Sequence, residues 1–343
     1  MFVKNCWYVA GWDYDLPQGK VLARTIIDQP LALYRREDGS VVAMEDRCCH
    51  RQAALHLGEI EGDCLRCMYH GMKFDPSGRC VDIPGQDIIP VKARVRTYPV
   101  IERDNWIWVW MGDPALADPA LVPFSVGPGD PDWDIRPSSL VFDADYRLVI
   151  DNLLDFSHLT YVHRKTFGGD EFSRSLPTIT RLDRGMRVER WVRNVPALVF
   201  VQHIMDGRYD MLTDYSVVMP CVFVMRFQVY SPGTATEGPS NGQLLLDTWT
   251  CQSVVPVSAG QCIYYFSWGA SKATATPEIG DLLYEGIHKA FLEDKEMIEA
   301  QYRNIRRDPG RPNMSTAHDV AVNQMHALMK RHIAEETTGV AAE

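Results

Sequence analysis

The sequence lacks an excess of positive charge, a long apolar segment and a dinucleotide-binding glycine motif. Its 35 Lys and Arg residues stand against 45 Asp and Glu residues, a net charge of −10, whereas a surface that binds phosphate must be basic. We therefore exclude nucleic acid as the main partner. The longest apolar stretch, 217–225, is interrupted by Pro220. It is much shorter than the about 20 residues that cross a bilayer, so no membrane span is expected.

Two further absences concern where the chain works and what it binds by itself. The N-terminal residues contain no apolar run of signal-peptide length, so we expect a chain that stays in the cytoplasm. No Gly-x-Gly-x-x-Gly motif follows a predicted strand. A nicotinamide cofactor would therefore be handled by a separate reductase rather than by this chain.

The order of predicted elements indicates two domains joined by a linker. Residues 1–112 contain short runs rich in Val, Ile, Leu and Tyr, and we predict strands at 7–10, 22–27, 31–35, 41–45 and 105–111. Residues 113–137 are rich in Pro, Gly and Asp and form the predicted linker. Residues 138–343 begin with a predicted helix at 146–163, followed by sequential strands and a long helix. This order predicts an α+β domain with antiparallel pairing.

Cysteine is unusually concentrated in the first domain. Nine cysteines are present in the chain, and five of them lie between Cys48 and Cys80. An odd count with such crowding favours metal ligation in a reducing compartment over a disulfide framework. Within this segment Cys48-x-His50 is followed, after sixteen residues, by Cys67-x-x-His70.

Two thiolates and two imidazoles on two loop tips suit either of two metal groups. One is tetrahedral zinc, and the other is the [2Fe–2S] centre in which two histidines replace two cysteines on one iron. Cys64 would offer zinc a rival pair with Cys67. We favour iron–sulfur, since a structural zinc site would leave a second set of ligand-like residues unexplained. Cys6, Cys64 and Cys80 are interpreted as small core residues, and Cys49 as wrongly spaced for a ligand.

The second set lies at 151–163, where two histidines, two aspartates and an asparagine alternate with Leu, Phe, Tyr and Val. Buried ionisable groups are costly unless they are paired or bind a metal. His158 and His163 are five residues apart, so on a regular helix they would point about 140° away from each other. Either the turn between them opens into an i+5 bulge, or the helix ends near Tyr161 and His163 returns from the next loop.

The long C-terminal helix supplies a candidate carboxylate. Non-haem iron(II) that activates O2 is commonly held by two histidines and one carboxylate. Asp294 falls on the apolar stripe of a helix predicted from Thr276-Pro277 to about residue 306. Its neighbours at three and four residues are Ala290, Phe291, Met297 and Ile298. An ionised Asp294 would therefore face the core and need a cation, either a metal or a core Arg. Glu293 is predicted to be solvated.

Three polar residues before His158 receive separate predictions. Asp155 lies three residues before His158, where a carboxylate can accept the free N–H of an iron-bound imidazole. Asn152 is expected to support the open side of the coordination shell. Asp151 is expected either to cap the helix or to pair with Arg147.

These motifs resemble those of the oxygenase components of Rieske non-haem iron oxygenases. The sequence is similar to vanillate and dicamba O-demethylases and, in particular, to the toluenesulfonate methyl-monooxygenase type. The likeness includes the opening Asn-Cys-Trp-Tyr-Val-Ala at 5–10 and the loop Arg-Cys-Cys-His-Arg at 47–51, and it covers nearly the whole chain. It implies an N-terminal all-β Rieske domain and a helix-grip-like catalytic domain, in which an antiparallel sheet and helices form an α+β fold.

The resemblance also implies the ligands of both metal groups and the partners. The implied ligands of the [2Fe–2S] cluster are Cys48, His50, Cys67 and His70. The implied ligands of a mononuclear Fe(II) are His158, His163 and Asp294. Asp155 would bridge this iron to the Rieske histidine of a neighbouring subunit in a head-to-tail homotrimer. The implied electron donor is a separate reductase with FMN and a plant-type [2Fe–2S] cluster.

The reaction that the resemblance implies is monooxygenation. A methyl or methoxy carbon of a small aromatic acid would be hydroxylated with O2, and a methoxy product would collapse to a phenol and formaldehyde. Ring cis-dihydroxylation is the alternative within the family. Outside it, a pure electron carrier would need only the first metal group, and a zinc-organised binding protein would be colourless. Aromatic-rich strands at 215–230 and 247–268 are predicted pocket walls, with His203 and Arg226 as candidates for binding the acid group.

Overall fold

The structure, a computed structural model, describes residues 1–166, 169–199, 207–238 and 241–338. The chain divides into two compact units. One contains Phe2–Val122 together with Val255–Ser258, and the other contains Met1, Pro123–Val254 and Ala259–Glu343. Among the described helices, none is both long and apolar enough to cross a membrane.

The unit around Phe2–Val122 is built from three small antiparallel sheets. Its strands are β1 (Cys6–Trp12), β2 (Val21–Ile26), β3 (Gln29–Arg35), β4 (Val41–Glu45), β5 (Glu59–Glu61), β6 (Cys64–Arg66), β7 (Lys73–Phe74), β8 (Cys80–Asp82), β9 (Thr97–Tyr98), β10 (Val100–Arg103) and β11 (Trp106–Met111). The sheets have the orders β1-β11-β10, β2-β3-β4-β9 and β5-β6-β7-β8. This arrangement confirms the predicted all-β class, and each of the five predicted strands is present.

The residues of β11 are apolar on both faces of the strand, and the structure buries both faces. All six of its residues are buried, and the ring centroids of Trp106 and Trp12 lie 3.7 Å apart. Both faces of β11 are thus buried, as expected for a central strand rather than an exposed edge.

The segment after β11 has little regular structure until Trp133. Two short 3₁₀ turns, Pro114–Leu116 and Pro119–Leu121, each have an aspartate at the N-cap and proline in the first turn, which are favourable capping residues. The next strand begins at Trp133, inside the predicted linker. The sequence did not foresee this early start.

The second unit contains a seven-stranded antiparallel sheet. Its strands are β12 (Trp133–Phe142), β13 (Thr178–Leu182), β14 (Gly185–Pro196), β15 (Arg208–Val218), β16 (Val222–Tyr230), β17 (Leu244–Ser258) and β18 (Gln261–Ser271). The order is β12-β18-β17-β16-β15-β14-β13. Strand β12 therefore forms one edge of the sheet and pairs with β18, the last strand in the sequence. The predicted run at 215–230 is in fact a hairpin, because a turn containing Pro220 separates β15 from β16.

Helices complete this unit, and two of them carry Asp151, Asn152 and Asp294. They are α1 (Tyr146–Leu154), α2 (Glu171–Arg174), α3 (Thr234–Glu237), α4 (Pro277–Arg307) and α5 (Val320–Thr338). Helix α4 begins as predicted, with Thr276 as N-cap and proline in the first turn, and it contacts β12 and β18. Its buried residues include Leu283, Ala290 and Asp294. The expected α+β class is confirmed.

Candidate metal centres

The four Cys and His residues of the first motif lie on two loops with the same backbone design. In the first loop the Cys48 N–H donates to the Ala53 carbonyl over 2.8 Å, and the Gln52 N–H donates to the Cys48 carbonyl over 2.9 Å. The second loop repeats this pattern: the Cys67 N–H donates to the Met72 carbonyl and the Gly71 N–H to the Cys67 carbonyl, at 2.8 and 2.9 Å. The two loops therefore present their side chains in equivalent ways.

Each loop turns on one residue with positive φ, Gln52 at 59° and Gly71 at 76°. Glycine is needed in the second loop for a further reason. A Cβ at Gly71 would lie 2.6 Å from Pro84 Cγ, which is closer than packed atoms approach. The absence of a side chain at Gly71 therefore allows the ring of Pro84 to pack against this loop.

The side chains of this site divide into a buried pair and an exposed pair. Cys48 and Cys67 are each 2% exposed, whereas His50 and His70 are exposed with ring centroids 4.6 Å apart. Burial, with a contribution from Cys67, raises the pKa of the Cys48 thiol to about 12, so a thiolate there requires a metal. Burial, and then the nearby His50, lowers the pKa of His70, which favours the neutral imidazole that a metal ligand must be.

This arrangement fits a two-iron cluster better than zinc. Tetrahedral zinc draws its four ligand atoms to one point, at about 2.0–2.3 Å from the metal. Within the described part of the chain, only one trio of His, Cys, Asp and Glu donors lies within 4.8 Å, and it is drawn from other residues. Two buried thiols and two exposed imidazoles that do not converge on one point match a cluster with cysteines on one iron and histidines on the other.

Among the described residues, the remaining cysteines form no disulfide bond. Cys6 and Cys80 are buried, Cys64 is half-buried and Cys49 is exposed. Cys64 lies in β6, paired with Glu61 across the sheet.

The trio that does converge is His158, His163 and Asp294, whose donor atoms all lie within 4.8 Å of one another. The His158 Nε2 lies 3.4 Å from Asp294 Oδ1, and the His163 Nε2 lies 3.1 Å from the same oxygen. The Asp294 side chain is 8% exposed. Two imidazoles and one carboxylate facing one point form the donor set of a mononuclear iron(II) site with open positions.

The chain reaches this geometry by ending the first helix early. Helix α1 stops at Leu154, and Asp155 is extended, with φ −116° and ψ 93°. A 3₁₀ turn, Phe156–Thr160, then carries His158, and His163 follows in the next turn. The predicted helix over 146–163 is therefore too long, and of the two alternatives for the His pair the return of His163 from a loop is the better description.

Asp155 contacts His158 through its backbone rather than through its side chain. The His158 Nδ1 lies against the Asp155 backbone carbonyl, while the Asp155 carboxylate accepts from the Ser157 N–H over 2.8 Å. The predicted carboxylate contact is wrong because residue 155 lies between two helices, where three-residue spacing does not place side chains on one face. The carbonyl nevertheless accepts from Nδ1–H and leaves Nε2 free to face Asp294.

Glu293 occupies the role that we expected of Asp155, at the other histidine. Its Oε2 accepts from His163 Nδ1 over 2.8 Å and from the Thr166 hydroxyl over 3.0 Å. The prediction of a solvated Glu293 is therefore wrong. Sequence reasoning considered only neighbours on α4, whereas the partners of Glu293 lie in the loop after α1. The position of Glu293 directly before Asp294, a candidate metal ligand, was the one signal in the sequence that could have identified its role.

Asn152 and Asp151, neighbours on α1, face different partners. The Asn152 Nδ2 donates to Asp294 Oδ1 over 3.0 Å, so Asn152 belongs to the site. Asp151 Oδ1 lies 2.7 Å from His326 Nε2 on α5. Both alternatives for Asp151 are wrong, because Asp145 caps α1 and Arg147 pairs with Asp145.

Burial and charge act differently on the two histidines. Burial lowers the pKa of His158, although the charge of Asp294 opposes it. Burial also acts to lower the pKa of His163, but its hydrogen bonds to Asp294 and Glu293 outweigh that effect and raise it. Two carboxylates within reach of one buried imidazole make this a favourable site for a cation.

A cavity adjoins the trio in the same unit. Its volume, measured as the space open to the centre of a water molecule, is about 100 Å³. Apolar side chains supply most of its lining, among them Phe156, Phe172, Phe227, Trp268 and Phe291. Its polar lining outside the trio consists of Asn152, Thr213, Thr248, Thr250 and Gln252.

Of the two candidates for the acid group, Arg226 lies among the described residues and is not in this lining. Arg226 hydrogen-bonds the Asp247 carboxylate over 2.8 Å and borders a different pocket, so it is wrong as a cavity residue. His203 lies outside the described residues.

Comparison with family models matches both units. Residues 6–99 match the Rieske [2Fe–2S] domain, and residues 142–335 match the vanillate O-demethylase oxygenase C-terminal domain.

Full-length relatives carry related names. The chain is 37% identical, over 99% of its length and 100% of the relative's, to the iron–sulfur subunit of a toluene-4-sulfonate monooxygenase system from Comamonas testosteroni. It is 32% identical, over 96% and 97% of the two chains, to the oxygenase component of dicamba O-demethylase from Stenotrophomonas maltophilia.

The fold resembles solved structures of dicamba monooxygenase. The structure bound to dicamba aligns with a TM-score of 0.87 and 31% identity over 98% of this chain and 99% of that one. A second structure, with non-heme iron and dicamba, aligns with a TM-score of 0.79 and 28% identity over 98% and 99%.

Proposed function

The chain belongs to the Rieske non-haem iron oxygenases with a C-terminal domain of the vanillate O-demethylase type, and on that premise we propose that it hydroxylates a methyl or methoxy carbon of a small aromatic acid. It is the oxygenase component of a multicomponent monooxygenase, and such components use a Rieske [2Fe–2S] cluster and a mononuclear iron. The observation that carries the proposal is the convergence of His158, His163 and Asp294 beside an apolar cavity.

We assign the metal ligands as follows. The cluster would be held by Cys48, His50, Cys67 and His70. The mononuclear iron would be held by His158, His163 and Asp294. When bound, the cluster supplies electrons one at a time and the iron supplies activation of O2 next to the substrate. The buried thiols of the first set and the buried carboxylate of the second both require a cation, which supports this assignment.

Residues around the trio orient its members. Glu293 accepts from His163 Nδ1 and the Asp155 carbonyl accepts from His158 Nδ1, so both imidazoles direct Nε2 to the same point. Asn152 donates to the Asp294 oxygen that lies nearest both histidines. This bond holds the carboxylate in place. The apolar lining of the cavity limits the entry of water, which would otherwise compete with the substrate.

The substrate class and the partners follow the relatives. Relatives are named for toluene-4-sulfonate, dicamba and vanillate, which supports an aromatic acid. The electron donor would be a separate reductase with FMN and a plant-type [2Fe–2S] cluster. In a head-to-tail homotrimer, Asp155 would link the iron to the Rieske histidine of a neighbouring subunit. We retain domain limits of 1–112 and 138–343, the linker 113–137 and a cytoplasmic location as parts of the proposal.

Ring cis-dihydroxylation is not favoured. The relatives named above are a monooxygenase and two O-demethylases, and O-demethylation removes a methyl group without adding two hydroxyls to the ring.

Oxygen uptake over a panel of methyl- and methoxy-substituted benzoates and benzenesulfonates, with a reconstituted reductase, tests the proposal. We expect formaldehyde in step with O2 uptake from a methoxy substrate, or a hydroxymethyl product from a methyl substrate. A cis-diol product, or O2 uptake without any oxidised substrate across the panel, would contradict it.

A further inference from the structure

A polar stripe crosses the apolar cavity on strand β17. Thr248, Thr250 and Gln252 all line the cavity, and they are alternate residues of one strand, so their side chains share one face of the sheet. Their cross-strand neighbours on β16 are Phe227, Met225 and Phe223. The stripe is therefore set among large apolar side chains.

Two members of this stripe have polar atoms that the protein does not satisfy. Thr250 is 1% exposed and Gln252 is 5% exposed. Among the described residues, the Thr250 hydroxyl and the Gln252 Oε1 have no hydrogen-bond partner. The Thr248 hydroxyl, by contrast, donates to the Phe227 carbonyl over 3.1 Å. Buried polar atoms without a partner are rare in folded proteins, and two of them on residues that line one cavity indicate a ligand that completes the bonds.

Apart from the proposed iron, the described lining of this cavity offers no strongly basic side chain to an acidic ligand. Over the ranges that the structure describes, neither Lys nor Arg lines it. The buried Arg190 donates to the Phe172 carbonyl, and Arg226 is held by Asp247. The segment 200–206, outside the described residues, contains neither Lys nor Arg in its sequence. An anion placed here would have hydrogen bonds but no Lys or Arg to pair with, and burying an unpaired charge is costly.

We propose that Thr250 and Gln252 form the subsite for the polar group of the aromatic substrate, which they bind through uncharged hydrogen bonds rather than through an ion pair. This inference rests on the proposed function, since it presumes an aromatic substrate in this cavity. The hydroxyl both donates and accepts, and either end of the Gln252 amide can face the ligand after rotation. The subsite thus suits an amide or hydroxyl about as well as an acid.

Anaerobic calorimetric binding to the holoenzyme tests the subsite with two matched pairs of probes. The pairs are 4-methoxybenzoate with 4-methoxybenzamide and toluene-4-sulfonate with toluene-4-sulfonamide. We expect the two members of a pair to differ in Kd by less than about tenfold, because no ion pair is lost when the charge is removed. T250V and Q252L should each weaken both members by about three- to tenfold, the value of one hydrogen bond.

Three further variants keep the test interpretable. T250S retains the hydroxyl and should restore binding. T248V makes the same chemical change on the same face, at a hydroxyl that already has a protein partner, and should weaken binding less than T250V. The thermal midpoint and the Rieske absorbance of each variant report whether it is folded.

The outcomes separate this inference from the proposed function. Unchanged Kd values in folded T250V and Q252L overturn the subsite, as does a preference for the acid over its amide of more than about a hundredfold, which would require a cation. If the wild type turns over the acids while binding is independent of both residues, only the subsite fails. If the wild type neither binds nor oxidises any probe, the proposed substrate class fails and the subsite falls with it.

Discussion

The two candidate metal centres differ in how their ligands are distributed along the chain. At the cluster site all four proposed ligands lie within 48–70, on two loops that repeat one backbone hydrogen-bond pattern. At the iron site two proposed ligands follow α1 and the third comes from α4, and only the fold places Asp294 Oδ1 3.1 Å from His163 Nε2. The comparison teaches that residue spacing specifies a local site, whereas a charged residue on the apolar face of a helix points to a distant one.

The two candidate metal centres differ also in the exposure of their histidines to solvent. His50 and His70 lie at an exposed edge, whereas His163 is 1% exposed beneath α4. An exposed edge suits exchange of electrons with another protein surface. A buried trio beside an apolar cavity suits chemistry that must exclude water.

The largest expected effect comes from breaking the cluster site. C67S removes one of two buried thiolate ligands, so the cluster should be lost together with the red-brown colour and all turnover, while the second site keeps its iron. Absorbance and EPR after reduction measure the cluster directly. The matched control is C80S, which alters another buried cysteine of the same unit and should retain the colour.

Breaking the iron site should abolish turnover without changing the cluster. D294A leaves two imidazoles with no carboxylate, which is too weak a donor set to hold iron(II). The Rieske spectrum should remain that of the wild type. D281A alters an exposed aspartate of the same helix that pairs with Arg136, and it should retain activity. Normal turnover by D294A would refute the choice of this ligand.

A smaller effect is expected at the residue that orients His163. E293Q keeps the shape of the side chain but weakens its hold on Nδ1–H, so iron affinity or turnover should fall by about 10- to 100-fold. Iron titration of the apo site and steady-state rates measure both quantities. Glu296 is exposed on the same helix, and E296Q is the control. Equal behaviour of the two variants would mean that Glu293 does not support the site.

The smallest effect of the four is expected at Asp155. D155N keeps an oxygen that can accept from the Ser157 N–H, so both metals should remain bound, but it removes the charge proposed to link the two centres between subunits. Electron delivery should slow by less than the loss expected for E293Q. Single-turnover rates of the reduced oxygenase measure this step, and rates equal to those of the wild type count against the link.

Much of the fold could be predicted because its signals are local. Strand composition and turn residues identified five of the eleven strands described in the first unit, and Thr276 with Pro277 marked the start of α4. The Cys and His spacing predicted the first site, and the apolar neighbours of Asp294 pointed to a carboxylate that the fold places 3.4 Å from His158 Nε2.

What could not be predicted depends on contacts between distant segments or on a local break in regularity. Helix α1 ends at Leu154 because Asp155 adopts an extended conformation and its side chain caps the following turn. The sequence pattern gave no sign of this end, because it predicted a helix that continued to residue 163. The role of Glu293 depends on where the loop carrying His163 returns. The partner of Asp151 is His326 on α5, which no pattern in the segment 151–163 could identify.

The iron content of three anaerobically prepared proteins tests most directly the claim of two separate iron sites. With a two-iron cluster and one mononuclear iron, the wild type should contain about three irons per chain, D294A about two with an unchanged Rieske EPR signal, and C67S about one. A wild type that binds zinc alone, or a D294A protein that retains the full iron content of the wild type, would contradict the account.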